Sequence, residues 1–378
     1  MKQYIVLIST LVLSACGGGS GSNSGPTPVS LNPNLKFSSS DMDFYSNIGV
    51  YGGYKSNLKF NVDASGKISS LTTTNYDGET LNFQHTNGNS FQINNLFVYE
   101  SDIDLDEVKT YLQSQGLNYI GKISTSVTST TQLTDAEVRQ ILIERNIDLI
   151  NHNPGGIPVN IWNSNGIREM VTHIVDNSTW EETTLHSKQI TMDSIGKNLQ
   201  LKYSDFGTTT TISDYAQNNM HDTVTEYGFY FGGHEASEVA KPTTEMTFKG
   251  SAIAKIGTYG QGDNDTTMLS KTDDAKLQLV GGTEILTMNF SKADNPWYDI
   301  VINNSMNQAT ISVTDNTTAN INDDQYKLTS DVVLTDYFTA KYYGENVAEE
   351  TMATTHLDVP KSSTDGMIVD AVFGGTAQ

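Results

Sequence analysis

A single cysteine, Cys16, stands among the 378 residues. One thiol makes no intramolecular disulfide and no Cys-paired metal site, so core packing and sheet ladders alone must hold this chain together. Basic residues are scarce too: 22 Lys and Arg face 44 Asp and Glu, a formal charge of −22. That excess repels phosphate backbones and anionic lipid, which excludes nucleic acid and leaves a basic protein as a natural partner. Acidity also serves to keep a surface protein dispersed. The N-terminal apolar stretch, Tyr4 to Leu13, is too short to span a bilayer. There is no Gly-x-Ser-x-Gly elbow, no Walker loop and no His-Glu-x-x-His. The seven histidines, His85, His152, His173, His186, His221, His234 and His356, show no metal-ligand spacing. The sequence therefore offers no catalytic residue, no metal site and no resident cofactor.

What is present begins at the N-terminus. Met1 and Lys2, the apolar stretch, and then Leu13-Ser14-Ala15-Cys16 form a secretory signal with small residues before the cut. This segment resembles the lipobox of bacterial lipoproteins. The resemblance implies a signal peptide over residues 1–15 and a mature N-terminus at Cys16 bearing a diacylglyceryl thioether and an N-acyl chain. Two or more chains anchor stably, each buried methylene adding roughly 0.8 kcal/mol. Removing residues 1–15 takes away one lysine and no acid, so the mature charge becomes −23 from −22. Residues 16–34 read as a lipidated tether, because Gly17 to Asn34 is rich in Gly, Ser, Asn and Pro and buries no core. Its root-mean-square reach is roughly 20 to 25 Å. Gly17 stands where an aspartate would retain an enteric lipoprotein at the inner membrane, so the implied address is the outer membrane.

With 18 Tyr, 13 Phe and abundant Thr and Asn, residue usage favours β-structure. Residues 35–242 read as a mixed, β-rich N-terminal domain. Strand-like pieces are Leu58 to Val62, Ser90 to Val98, Leu199 to Tyr203 and Glu226 to Phe231. Two short helices are expected, one opening at Asp104-Leu105-Asp106-Glu107 and stopping at Gly116, the other opening at the capping box Thr134-Asp135-Ala136-Glu137 with Val138, Ile141, Leu142 and Leu149 on one face. Asp102, Asp104 and Asp106 alternate as in a calcium loop, but Glu107 and Gln113 stand where that loop needs Gly and Glu, so helix capping explains them.

Residues 243–378 carry eight alternating runs with turn signals between them. Met246, Phe248, Gly250, Ala252 and Ala254 share one face of the first. The next two are joined by Gly281-Gly282, a primed-turn signal whose register places Leu277 across from Leu286 and Ala275 across from Met288. The remainder are Trp297 to Ile302, Ala309 to Thr314, Gln325 to Ser330, Val332 to Tyr343 and Gly366 to Phe373. This pattern predicts an eight-stranded antiparallel barrel closed by its first and last strands. Transmembrane strands need about 9 to 11 residues with a continuous apolar exterior. Several runs here are shorter and charged, so the expectation is a soluble barrel.

These segments carry a resemblance. Ala340-Lys341-Tyr342-Tyr343-Gly344-Glu345-Asn346-Val347-Ala348-Glu349-Glu350 is similar to the aromatic-Gly-x-x-Ala-Glu-Glu stretch near the last hairpin of the transferrin-binding protein B barrel, and Val372-Phe373-Gly374-Gly375 to its closing strand. Leu201-Lys202-Tyr203-Ser204-Asp205-Phe206-Gly207 and Phe229-Tyr230-Phe231-Gly232-Gly233 resemble handle segments of related surface lipoproteins and hemophilins exported by the Slam translocator. Thr247-Phe248-Lys249-Gly250-Ser251-Ala252 is like the first barrel strand of that group. Thr351-Met352-Ala353-Thr354 departs from the usual Gly-Gly pair, and Thr376-Ala377-Gln378 from the usual basic end. Residues 35–194 match nothing in the group.

The resemblance implies a handle domain, a barrel, surface export, an outer-membrane receptor as relay, and capture of a host iron carrier or haem. A binder of a host complement regulator and a structural or adhesive lipoprotein are the alternatives. Capture needs aromatic and charged anchors rather than catalytic groups. The candidate ligand contacts are Trp162 in a polar loop, Tyr227, Phe229 and Tyr230 in an aromatic run, and the flanking His221 and His234. Core packing competes with ligand contact for the aromatics, as does an exposed loop position for the histidines.

Overall fold

The computed structural model describes residues 31–47, 56–65, 67–74, 80–103, 123–152, 181–217, 220–259, 267–290, 297–304, 308–314, 326–327, 338–362 and 365–378. Two antiparallel sheets dominate them. The first contains β1 (Asp43–Ser46), β2 (Ser56–Val62), β3 (Ile68–Thr74), β4 (Thr80–Asn87), β5 (Ser90–Ile103), β6 (Ile123–Ser129), β7 (Glu181–Ser194), β8 (Ser204–Gln217) and β9 (Met220–Gly233). Their lateral order is β4-β3-β2-β1-β9-β8-β7-β5-β6, and β4 also pairs with β5, which curls the sheet back on itself. One edge of β5 serves two partners: Ser90 to Gln92 meet β4, and Phe97 to Ile103 meet β6. Between them Asn95 takes a φ of 56°, a left-handed conformation that Asn adopts more readily than other residues with a Cβ.

Alternation drives the curl. In β2, Ser56, Leu58 and Phe60 point inward while Asn57 and Lys59 face solvent. Phe44, Phe60, Leu71, Phe83, Phe91 and Tyr230 fill the interior, with Phe44 edge-on to Phe60 at 5.3 Å and 87°. Each such ring contributes about 2 to 3 kcal/mol by leaving water.

The helix α1 (Asp135–His152) starts as the sequence predicts. The Thr134 backbone N–H donates to Glu137 Oε2 at 2.8 Å, and the Glu137 N–H donates to Thr134 Oγ1 at 3.4 Å. Val138, Leu142 and Ile143 bury against Tyr99 and Val127, with Ile141 partly covered. It runs 18 residues and ends at His152, two residues before Pro154 of the Pro154-Gly155-Gly156 stop that the sequence provides. The helix expected from Asp104 to Gly116 lies outside the described residues.

Leu199 to Tyr203 is a turn rather than the expected strand. Gln200 takes a φ of 57°, and the Leu201 N–H donates to the Gly196 carbonyl at 3.0 Å. Its apolar residues bury without a ladder: Leu201 and Tyr203 plug the gap between the sheets.

The second sheet contains β10 (Glu238–Val239), β11 (Met246–Tyr259), β12 (Thr267–Val280), β13 (Thr283–Phe290), β14 (Trp297–Asn303), β15 (Gln308–Thr314), β16 (Tyr326–Lys327), β17 (Phe338–Tyr343), β18 (Glu350–Ser362) and β19 (Asp365–Ala377). Its order is β10-β17-β18-β19-β11-β12-β13-β14-β15-β16. Eight of these strands, β11 to β15 and β17 to β19, are six residues or longer and make the antiparallel barrel. The first and last are joined through twelve opposed pairs, from Phe248 with Ala377 to Tyr259 with Gly366. Gly281 and Gly282 have φ of 59° and 84°, and the predicted register holds, Leu277 facing Leu286 and Ala275 facing Met288. Those four side chains line the barrel core with Phe248, Phe290 and Phe373.

One strand assignment needs correcting. Within the expected run Gln325 to Ser330, the described strand is the two-residue β16; the remaining long strand is β18, which the sequence reading passed over. The reason is physical. Thr351, Met352, Ala353, Thr354 and Thr355 are all buried, because Ala353 faces the barrel core while Met352 faces the first sheet. A strand covered on both sides shows no polar alternation. Among the described residues no helix is long and apolar enough to cross a membrane.

Candidate functional site

The two sheets meet along a seam. Leu201 and Tyr203 of the turn between β7 and β8, with Phe206, Phe229 and Phe231 of the first sheet, pack against Ile253, Tyr343, Met352 and Val372 of the barrel in one buried cluster. A carboxylate clamps the same junction. Glu350 accepts the backbone N–H groups of Lys202 at 2.5 Å, Tyr203 at 3.2 Å and Ser204 at 3.2 Å, together with the Ser204 hydroxyl at 2.9 Å. Burial raises its pKa, and the hydrogen bonds from the turn oppose that rise.

A third connection comes from the segment that leads into β1. Leu31 and Asn32 are buried, and Asn32 Nδ2 donates to the Leu201 carbonyl at 2.9 Å. Leu31 and Asn32, which composition places in the tether, are therefore packed into the fold. Lys36 Nζ donates to the Tyr203 hydroxyl at 2.7 Å and pairs with Glu345 of the barrel side. Phe37 lies flat on His234, with centroids 3.7 Å apart and planes 10° from parallel.

Behind the seam Asp205 is fully buried. It accepts Ser194 Oγ at 2.6 Å and the Tyr230 hydroxyl at 3.0 Å. Burial pushes its carboxyl up to about 7, against those hydrogen bonds, which lower it.

A cavity of about 340 Å³ opens on the seam between β1, β9, β10, β17 and β18. Strand backbone shapes it. A Cβ on Gly233 would fall 2.4 Å from the Tyr343 ring, so only glycine lets that ring lie where it does. Tyr45 stacks on Phe231 at 5.7 Å and 29° and keeps 37% of its surface exposed at the mouth. The Lys341 ammonium donates to Glu238 at 2.9 Å, and that hydrogen bond raises its pKa. Burial, with nearby carboxylates adding, raises the Tyr343 phenol well above its usual range. Asp43 and Glu235 also line the cavity, and their side chains form no hydrogen bond or ion pair among the described residues.

No family model and no curated protein matches this chain. Among solved structures it is similar to a point mutant of the vaccine antigen transferrin-binding protein B from Haemophilus parasuis Hp5, at 13% identity and a TM-score of 0.29, covering 85% of this chain and 53% of that one. It is similar also to intact Ap-TbpB with its N and C lobes, at 13% identity and a TM-score of 0.29, covering 85% of this chain and 54% of that one. The chain thus spans about half the length of those structures.

The aromatic run on β9 divides between two faces. Tyr227, Phe229 and Phe231 share the outer face: Tyr227 is 57% exposed, while Phe229 and Phe231 enter the seam. Tyr230 points the other way, fully buried in the first sheet and bonded to Asp205. His234 follows β9 with its Nδ1 buried and without a hydrogen-bond partner among the described residues. His221 sits opposite Ala216 in β9, and its side chain is outside the described set. Trp162 and Cys16 lie outside the described residues. Among the described residues no group of three or more His, Cys, Asp or Glu could hold a metal.

Sequence reasoning missed Asp43, Tyr45, Glu235 and Glu238. Tyr45 stands in a four-residue strand, too short for its alternation to be read. Lys341 and Tyr343 lay inside the quoted resemblance, but nothing local showed that they face a cavity.

Proposed function

We propose that this protein is a lipid-anchored binder on the outer surface of a Gram-negative bacterium, with a handle over residues 35–242 and a barrel over residues 243–378. It captures a host iron source of transferrin, haemoglobin or haem type and presents it to an outer-membrane receptor, after export by a Slam-type translocator. The lipobox-like Cys16, the tether and the quoted handle and barrel segments support the anchorage and the relay. The single observation that carries binding is the seam cavity, a preformed recess lined by stacked aromatic rings and carboxylates. It requires no reacting group. Lys341 is held by Glu238, an arrangement suited to recognition rather than to nucleophilic attack.

The same geometry favours a protein-borne source over free haem. One face of the His234 ring is covered by Phe37, and the cavity carboxylates would repel haem propionates. The mature chain in detergent, exposed to host serum, should retain an iron carrier identified by mass spectrometry, and a deletion strain should grow poorly on that carrier. A Soret shift with hemin, lost on His234→Ala, would instead identify haem as cargo. Serum sensitivity of the deletion strain with iron supply unchanged would replace this reading with complement-regulator binding. Retention of nothing would leave an adhesive or structural role.

A further inference from the structure

Resting on that reading of the seam as a binding surface, we infer that the cavity receives a basic side chain, an arginine guanidinium or lysine ammonium, projecting from the captured protein. Its charge lining is three carboxylates, Asp43, Glu235 and Glu238, against one ammonium, Lys341. Lys341 is hydrogen-bonded to Glu238 at 2.9 Å and interacts more weakly with Glu235, so three carboxylates against one ammonium leave the lining with an excess of two negative charges. A second feature points to the same ligand independently of charge. The Tyr45 ring, backed by Phe231, offers a flat half-exposed face on which a guanidinium stacks or an ammonium rests.

Met352 and Tyr343 provide wall for the hydrocarbon stem that carries such a head group. The size agrees, since about 340 Å³ admits a long side chain and leaves room for water. A chain of charge −22 would also steer a basic surface toward it. The walls are strand residues except for Glu235, which sits in a short 3-10 turn, Glu235–Ser237, so little ordering is needed on entry.

The test titrates the full mature chain with N-acetyl-arginine amide and with the neutral isostere N-acetyl-citrulline amide, followed by NMR or calorimetry. The arginine probe should bind and the citrulline probe should be at least tenfold weaker. Affinity of the unaltered protein should fall as salt rises. The double substitution Asp43→Asn with Glu235→Gln should weaken the arginine probe at least tenfold at an unchanged melting temperature, and Tyr45→Ala should weaken it several-fold. Equal binding of the two probes, salt-independent binding, or a double variant of unaltered affinity would overturn the inference. The two readings separate cleanly. Serum capture left intact in a double variant that folds normally removes the basic-side-chain inference and keeps the binder; arginine binding with no serum protein retained does the reverse.

Discussion

The carboxylate of Glu350, at the first residue of β18, accepts the hydroxyl of Ser204, at the first residue of β8, at 2.9 Å. Two strands of different sheets are thereby tied at their starting points. Glu350→Ala leaves three backbone N–H groups and a hydroxyl without their acceptor, at a cost of about 2 to 4 kcal/mol. Urea unfolding should show that loss, and limited proteolysis should cut faster in the turn at residues 195–203. Glu350→Gln should fall between the two, since an amide oxygen replaces part of the acceptor.

Asp205 predicts a pH dependence of definite sign. Its folded pKa, about 7, lies above its ordinary 3.8, so the folded state keeps a proton that the unfolded chain releases. Stability from this group is therefore fully present below about pH 4 and declines as pH rises toward 7, by on the order of 4 kcal/mol. Asp205→Asn should flatten that part of the curve in denaturation measured from pH 4 to 8. An unchanged slope would show that the carboxyl is ionised in the folded protein throughout.

At the β12–β13 hairpin the space beside Gly282 is open, and its φ of 84° is the constraint. Gly282→Ala should cost roughly 1 to 2 kcal/mol through backbone strain alone. Gly281→Asn should be close to neutral, because Asn-Gly suits the same turn. Thermal unfolding of the pair separates the two.

Tyr227 and Tyr230 are three residues apart and have opposite expectations. Tyr227→Ala, on an exposed ring, should change stability by less than about 0.5 kcal/mol and lower retention of the serum ligand. Tyr230→Phe removes a buried donor to Asp205 and should cost about 1 to 3 kcal/mol, with no direct effect on retention. A Tyr227→Ala variant of undiminished retention would remove that ring from the contact surface.

Where one sheet face is covered and the other wet, the sequence was readable: the β12–β13 register follows from alternation and two glycines, and α1 follows from Thr134 and Glu137. Legibility failed at the seam. β18 lost its alternation because both faces are covered, and Leu199 to Tyr203 looked like a strand because Leu201 and Tyr203 are buried for a tertiary reason. The cavity was less legible still. Asp43 and Tyr45 meet Lys341 and Tyr343 across about three hundred residues, and no local pattern encodes such a meeting.

The ladder between β11 and β19 has a consequence for timing. Every strand from β12 to β18 lies between its two halves in the chain, so the cylinder has no stable closed form until β19 has been made. Contacts of that separation are slow to find, and until they form β11 and β18 each present a bare hydrogen-bonding edge to any neighbouring polypeptide. The late zip thus makes closure the last event of folding, at the cost of an interval in which bare strand edges are open to mispairing.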